Sequence, residues 1–245
     1  DQPYPFGPSD GGSDDNLSWD SGGDQELRRQ RLRNLWTILM LSRGVPMVVA
    51  GDEFGRTQNG NNNPWALDST AMRNNYAMIA TSAPQRVGIE DGTGAVYHDN
   101  LGVFDSRDER VNPLFRFTTF LMRLRGRHAC LRQAAWGDMA VGGDDVSYLF
   151  HAPTADGSPN EGDRALAIHI DAPDDGFWAM LNMTSDPVDF RVPEVDGDRA
   201  WRRLVDTAVG AEKEDNCWPE GEGEVVSDGV AVQPWSIVVW HRSPR

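Results

Sequence analysis

A loop rich in hydrogen-bonding side chains begins directly after an apolar run at residues 45–50. Its charged and amide members offer the paired donors and acceptors that the neighbouring hydroxyl groups of a sugar require. These members are Asp52, Glu53, Arg56, Asn59, Asn61, Asn62 and Asn63. For the two acids and the arginine, an ion pair that braces the loop is an equal alternative, whereas the asparagines are predicted to face a ligand. The residue types therefore favour carbohydrate binding.

Two tryptophans add to this candidate site: Trp65 at the end of the loop, and Trp19 within residues 1–23, which are predicted to form a long loop. The flat face of an indole ring can stack on the apolar face of a glucose ring, and it also packs well inside a protein. Both residues are therefore candidates for substrate binding, with packing at the rim of the site as the alternative.

One αβ unit must position the loop. Leucines at helical spacing predict a helix over 24–43, with arginines at the exposed positions of its early half, and Gly44 is a helix C-terminal signal. The apolar run 45–50 is too short for a helix and predicts a strand buried on both faces, as in a parallel sheet. Because ligands bind at the carboxyl ends of such strands, the loop lies where a site is expected.

A second amphipathic helix is predicted over 113–127, with arginines in its last turns, where the helix dipole favours cations. His128 follows directly and is expected to cap the helix or to pack there rather than to act in catalysis. The preceding residues, 66–112, carry little periodicity and are predicted to be an extended insertion.

Beyond Arg132 the pattern becomes all-β. Seven short strands separated by turn residues are predicted at 146–151, 165–170, 177–182, 188–192, 201–206, 229–232 and 236–241. Such spacing is typical of an antiparallel sandwich. Its tryptophans are predicted to be core or interface residues rather than a starch-binding platform; they are Trp178, Trp201, Trp218, Trp235 and Trp240. The sequence therefore predicts two domains, 1–132 and 133–245.

Composition argues against several classes of function. Asp and Glu outnumber Lys and Arg by 38 to 23, so the net charge is −15, which argues against nucleic acid and against anionic membrane surfaces as partners. No apolar run has the length of a bilayer span and no segment resembles a signal peptide, so a soluble protein is predicted. Cys130 and Cys217 have no metal-type spacing and imply no disulfide framework, which favours a reducing cytoplasm. No cofactor or metal ion is predicted.

The predicted elements of residues 1–132 are too few to complete a fold. They comprise two helices and one parallel-type strand, whereas a closed (β/α)8 barrel needs on the order of 250 residues. A lone buried strand would leave its backbone groups unpaired. Because the chain also begins with Asp1 instead of methionine, we expect the other strands to lie in sequence outside this chain. The alternative is that residues 66–112 contain several elements that the pattern does not reveal.

Three segments carry a family resemblance: G-V-P-M-V-V-A-G-D-E-F-G-R-T-Q-N-G-N-N-N at 44–63, F-L-M-R-L-R-G-R-H-A-C-L-R at 120–132 and the closing Q-P-W-S-I-V-V-W at 233–240. With these segments the sequence resembles glycogen debranching enzymes and bacterial isoamylases of the alpha-amylase superfamily, over nearly the whole chain apart from 66–112. The resemblance implies the C-terminal portion of a (β/α)8 barrel, with its last helix, strand and helix, followed by an antiparallel β-sandwich.

The resemblance also implies a glycoside hydrolase that cleaves α-1,6 branch linkages in glycogen and limit dextrin with retention. In that family the nucleophile, the acid/base and the stabilising aspartate follow the fourth, fifth and seventh strands. All three would precede Asp1, so no residue here is assigned a catalytic role and the chain alone is predicted to be inactive. Its implied partners are a branched α-glucan and the missing barrel portion of the same protein.

Two alternatives remain open from the residues. The first is an α-1,4-acting amylase or a trehalose-releasing hydrolase of the same superfamily, since linkage preference resides mostly in loops outside this chain. The second is a non-catalytic module that binds glucan by itself.

Overall fold

The structure is a computed structural model that describes residues 21–56, 61, 63, 73–80, 86–88, 96–99, 111–133, 146–195 and 197–244. The chain divides into two compact units. The first consists of Asp1–Arg29 and Met47–Thr119, and the second of Gln30–Pro46 and Phe120–Arg245. The boundary between domains 1–132 and 133–245 stays a prediction. No described helix is both long enough and apolar enough to cross a membrane.

Helix α1 runs over Gln25–Leu41 and confirms the helix predicted for 24–43. Asp24 caps its start, because its Oδ1 accepts a hydrogen bond from the backbone N–H of Leu27 at 3.0 Å. Beyond its end, Gly44 has a φ of 94°, a left-handed conformation that glycine adopts at little cost. The helix therefore ends close to the signal that the sequence carries.

The strand predicted for 45–50 is not formed, and the prediction that this run is buried was wrong. Residues 45–49 belong to no strand, and their apolar side chains are exposed, to 89% for Val45, 87% for Met47 and 59% for Val49. A strand needs a neighbour whose backbone groups pair with its own. No strand of the described part pairs with this segment, so the apolar run lies open.

Helix α2 runs over Pro113–Arg127 and confirms the second predicted helix. Its buried side repeats every three to four residues, as an amphipathic helix requires, and consists of Leu114, Phe117, Leu121 and Leu124. His128 follows directly, and its ring packs edge-on against the ring of Phe177, with centroids 4.9 Å apart. Its predicted packing role is confirmed.

The segment predicted to be an extended insertion contains short regular elements. Tyr76–Ile79 forms a 3-10 turn. Strand β1, Arg86–Gly88, pairs antiparallel with strand β2, Val96–Asp99, and the register shifts between Val87 and Gly88. Strands of three and four residues are too short to show an alternating pattern, which is why the sequence did not predict them.

Eight further strands form two antiparallel sheets. They are β3 (Ser147–His151), β4 (Ala165–Asp171), β5 (Gly176–Asn182), β6 (Val188–Arg191), β7 (Arg199–Asp206), β8 (Val225–Val226), β9 (Gly229–Val232) and β10 (Ser236–Pro244). The larger sheet has the order β3-β4-β5-β10-β7-β8, and the smaller one pairs β6 with β9. The seven strands predicted for the sandwich are all confirmed, and its two-residue strand β8 was missed.

The core of the sandwich lies between these two sheets. Alternate residues of the larger sheet, such as Trp178, Met180 and Trp240, pack against Phe190 and Val232 of the smaller one. Three of the five sandwich tryptophans are almost fully buried and confirm the core prediction; they are Trp178, Trp201 and Trp240. Trp218 is half-buried, and the guanidinium of Arg203 lies 5.2 Å from its ring centroid.

Polar side chains in the part of α1 that belongs to the second unit contact backbone carbonyls of the same unit. Gln30 Nε2 donates to the carbonyl oxygen of Trp235 at 2.6 Å, and Asn34 Nδ2 donates to the same oxygen at 2.7 Å. Arg33 is buried, contrary to the predicted exposure of the early arginines; its Nε donates to Thr207 O at 3.0 Å and its Nη1 to Glu212 at 2.9 Å. These hydrogen bonds engage Nε and Nη1 of Arg33 and offset part of the cost of burying its charge.

The lowered pKa of His169, on β4, predicts that the stability of the protein depends on pH. Burial lowers its pKa; Asp171 raises it in part, and the electrostatic interactions with His151 and Arg242 lower it further, so the pKa lies below the usual value. The unfolded state therefore binds this proton more readily, and the contribution of His169 to stability falls as the pH drops below about 6.5. The loss cannot exceed about 1.4 kcal/mol per pH unit.

We expect the His169→Gln variant to lose less stability than the wild type between about pH 7.5 and 5.5, because the variant lacks this proton-linked cost. Urea unfolding of both proteins at the two pH values measures the difference. Lys213→Gln, at an exposed position away from His169, serves as the control and should keep the pH dependence of the wild type. An unchanged pH dependence in His169→Gln would show that His169 titrates alike in the folded and unfolded states.

Candidate functional site

Two glycines shape the start of the predicted binding loop. Gly51 has a φ of 101° and Gly55 a φ of 73°, a region that favours glycine. A Cβ added at Gly51 would lie 2.4 Å from Arg56 Cδ and 2.7 Å from Asn74 Oδ1, so no larger residue fits without a shift. Between the glycines, Asp52–Phe54 forms a 3-10 turn. The turn brings the predicted charged residues together.

The acids and the arginine of the turn have partners within it. Asp52 Oδ1 lies 3.3 Å from Arg56 Nε in an ion pair, and the side chain of Asp52 is half exposed. Glu53 Oε2 accepts a hydrogen bond from the backbone N–H of Gly51 at 2.7 Å. The bracing ion pair therefore exists for Asp52 and Arg56, whereas Glu53 secures the backbone. Because Asp52 remains half exposed, it can still reach a ligand.

A buried residue anchors the turn. Phe54 is fully buried, and its ring meets that of Tyr76 at a centroid distance of 5.7 Å. Asn112 Nδ2 donates to the carbonyl oxygen of Phe54 at 3.0 Å, and Thr118 Oγ1 donates to that of Glu53 at 3.2 Å. These bonds tie the turn to the first residues of α2 and hold its carboxylates in place.

Two of the predicted asparagines lie in the described part of the loop. Asn61 is buried, and its Oδ1 accepts a hydrogen bond from the backbone N–H of Asn63 at 2.9 Å, whereas Asn63 itself is exposed. Asn61 thus shapes the loop, while Asn63 is open to a ligand. The other candidates lie outside the described residues; they are Trp19, Asn59, Asn62 and Trp65.

Sequence reasoning missed Asn112 and Thr118 as residues that position the site. The only signal for Asn112 is its place before Pro113 at the start of a predicted helix, which is typical of an N-cap. This signal does not tell which distant carbonyl oxygens the Nδ2 group of Asn112 binds.

In the described part of the chain, one group of histidine and carboxylate ligand atoms lies close enough to hold a metal ion. It comprises His128, Asp175 and His241, which lie outside this loop.

Curated relatives match most of the chain. An isoamylase of Flavobacterium sp is 33% identical over 233 residues, which are 93% of this chain and 26% of the relative. An isoamylase of Pseudomonas amyloderamosa is 27% identical over 239 residues, again 93% of this chain and 26% of the relative. The glycogen operon protein GlgX homolog of Mycobacterium bovis is 38% identical over 201 residues, 78% of this chain and 27% of the relative. The chain thus spans about a quarter of these relatives.

A solved structure shares the fold. The crystal structure of GBS pullulanase SAP in complex with maltotetraose aligns with 91% of this chain and 29% of its own, with a TM-score of 0.54 and 16% sequence identity. No family model matches the chain. The loop motif that carried the resemblance lies within a chain that matches these proteins over most of its length. The chain is thus a relative of the isoamylases and of the GlgX homologs, which it matches over most of its own length.

Proposed function

We propose that the chain is the C-terminal part of a glycogen-debranching glycoside hydrolase that cleaves α-1,6 branch linkages of glycogen and limit dextrin with retention. The observation that carries the proposal is the match to the two isoamylases over 93% of this chain and only about a quarter of their length. The nucleophile and the acid/base would then lie in the upstream sequence, and the 245-residue chain would have no hydrolytic activity of its own.

The open apolar run supports a barrel origin for the first part of the chain. Val45, Met47 and Val49 expose large apolar side chains, which single chains rarely leave in a row without a partner. In the proposed whole protein, residues 45–50 are the eighth barrel strand between upstream strands, with α1 as the seventh barrel helix and α2 as the eighth. Residues 1–132 then complete the barrel, and 133–245 form the C-terminal sandwich.

The turn and loop after this strand would contribute to the glucan-binding cleft. Asp52 and Arg56 present a carboxylate and a guanidinium side by side, and Asn63 presents an exposed amide, which together match the donors and acceptors of sugar hydroxyls. Glu53 and Asn61 would hold the loop from within. Trp19, Asn59, Asn62 and Trp65 remain proposed contacts. Cys130 and Cys217 form no disulfide, which agrees with a proposed location in the cytoplasm.

Intact mass and activity test the proposal together. An antibody to residues 146–244 isolates the native gene product from its source, and mass spectrometry measures it. We expect a product about four times as long as this chain, since relatives are matched over 26% of their length, and we expect it to release reducing ends from glycogen more readily than from linear amylose. The folded 245-residue chain is the control and should release none. A native product of 27.2 kDa would contradict the proposal.

A second arm of this experiment tests the loop. In the longer protein, Asp52→Asn should raise KM for glycogen roughly tenfold, which corresponds to about 1.4 kcal/mol of binding energy. Asp189→Asn, an exposed position on β6, is the matched control and should leave KM unchanged. Equal KM values for the two variants would show that Asp52 does not contact the substrate. The family assignment would not be affected.

A further inference from the structure

Two histidines and an aspartate converge in the second unit. His128 Nδ1 lies 2.7 Å from Asp175 Oδ2, and His241 Nε2 lies 2.9 Å from Asp175 Oδ1, so the carboxylate stands between two imidazole rings. The ligand atoms of the three residues all lie within 4.8 Å of one another. They come from the residue after α2, from the β4–β5 turn and from β10, which are distant in sequence.

The ligand atoms are held rigidly and are partly shielded from water. The side chains of His128 and His241 are each 11% exposed and that of Asp175 is 24% exposed. The ring of Phe177 stacks on His241 at 5.0 Å between centroids and meets His128 edge-on at 4.9 Å. Asp175 Oδ1 also accepts a hydrogen bond from the backbone N–H of Gly176 at 2.9 Å. Preorganised ligands of this kind lower the entropic cost of metal binding.

A second carboxylate lies near the outer nitrogen of one of the two histidines. His128 Nε2 lies 3.4 Å from Glu220 Oε2, so a second carboxylate stands behind the ring on the side away from Asp175. Histidines that ligate a metal usually donate their other N–H to such an oxygen, which fixes the tautomer. The thiol of Cys130 lies 3.2 Å from Asp175 Oδ2, and burial together with Asp175 raises its pKa, so it donates to the carboxylate as a neutral thiol.

We propose that His128, Asp175 and His241 form a binding site for a divalent transition-metal ion of the zinc class. Two imidazole nitrogens and one carboxylate are a ligand set that Zn²⁺ takes in proteins, and water can fill the remaining position. On binding, His128 carries its proton on Nε2, which faces Glu220, and His241 carries its proton on Nδ1. The ion replaces the two hydrogen bonds to Asp175 and ties α2, the β4–β5 turn and β10 together.

Titration of the metal-depleted chain with zinc chloride tests the site. The chain is dialysed against EDTA and then against buffer, and isothermal titration calorimetry measures the stoichiometry. We expect one ion per chain with a dissociation constant at or below about 10 µM, and a rise in the thermal unfolding midpoint that grows with zinc concentration. No saturable binding in this range would overturn the proposal.

Variants separate the site from the chain's other histidines. His241→Gln and Asp175→Asn should each weaken zinc binding at least about tenfold, while His151→Gln, which alters a histidine outside the cluster, should leave it unchanged. The visible spectrum of bound Co²⁺ provides a readout besides stability and should be lost in the first two variants only. Circular dichroism without metal identifies any variant that fails to fold. If a ligand variant does not fold, Glu220→Gln tests the site instead, and it should weaken zinc binding by a smaller factor. Equal zinc binding by all these variants would overturn the proposal. The cluster would then have only a structural role, through its hydrogen bonds.

Discussion

Replacing Arg125 with methionine should lower the free energy of unfolding by about 3 kcal/mol. Its Nη1 donates to the carbonyl oxygens of Met40 at 2.6 Å and Ser42 at 2.8 Å, and its Nη2 donates to that of Gly44 at 2.6 Å. These are the last carbonyls of α1 and the residues that follow it, which have no partner further along the helix. Methionine fills a similar volume but donates no hydrogen bond, so the three carbonyl oxygens lose their hydrogen-bond donor.

Urea unfolding of Arg125→Met and of Arg123→Met measures this contribution. Arg123 lies on the same helix but is exposed, so its replacement should change stability by no more than about 0.5 kcal/mol. Arg125→Lys should fall between the two, because one ammonium cannot reach carbonyls on both sides of the planar guanidinium. Indistinguishable unfolding midpoints for the two methionine variants would mean that water replaces the guanidinium without cost.

The Asn112→Ala variant should lose about 3 kcal/mol. Asn112 is fully buried, and its Nδ2 donates to the carbonyl oxygens of Phe54 and Met78, both at 3.0 Å. Its Oδ1 accepts from the backbone N–H of Leu114 at 2.9 Å and so caps α2. Alanine leaves two buried carbonyls without this donor and removes the cap. Because Phe54 anchors the turn, the turn should loosen as well.

Asn75→Ala is the matched control for this prediction. Asn75 is also buried, and its Oδ1 caps the short turn at Ala77 with a 3.1 Å hydrogen bond; its loss should cost about 1 kcal/mol. Hydrogen exchange at the amides of Phe54 and Gly55 measures the local effect. Protection that stays at the wild-type level in Asn112→Ala would show that Thr118 and the burial of Phe54 hold the turn without the asparagine.

Local patterns were sufficient to predict both helices and the seven longer strands of the sandwich. In α2, an Asn-Pro start, apolar residues every three to four positions and arginines at the end all agree on one element. In the sandwich, turn residues separate short apolar or alternating runs, so the limits of each strand follow from the pattern alone. Such elements are predictable because each contains its own periodicity and end signals.

The candidate loop was predicted only in part. Its residue types and its place after an apolar run came from the sequence, and the structure brings Asp52, Glu53 and Arg56 into one turn. The sequence could not tell which acid pairs with the arginine, because both are within reach along the chain. The strand before the loop was predicted from its composition, yet a strand forms only where neighbours pair with it.

The helices, the sandwich strands and the family resemblance follow from the sequence alone. Which polar groups are buried, and which partners they bind, depends on the tertiary structure. Arg33 has the same local signal as Arg28, Arg29 and Arg31, which are only half-buried, but it is buried against Thr207 and Glu212. Likewise, His128, Asp175 and His241 meet because α2 ends beside the β4–β5 turn and β10. Contacts between residues so far apart depend on how the elements pack, and no local pattern encodes that packing.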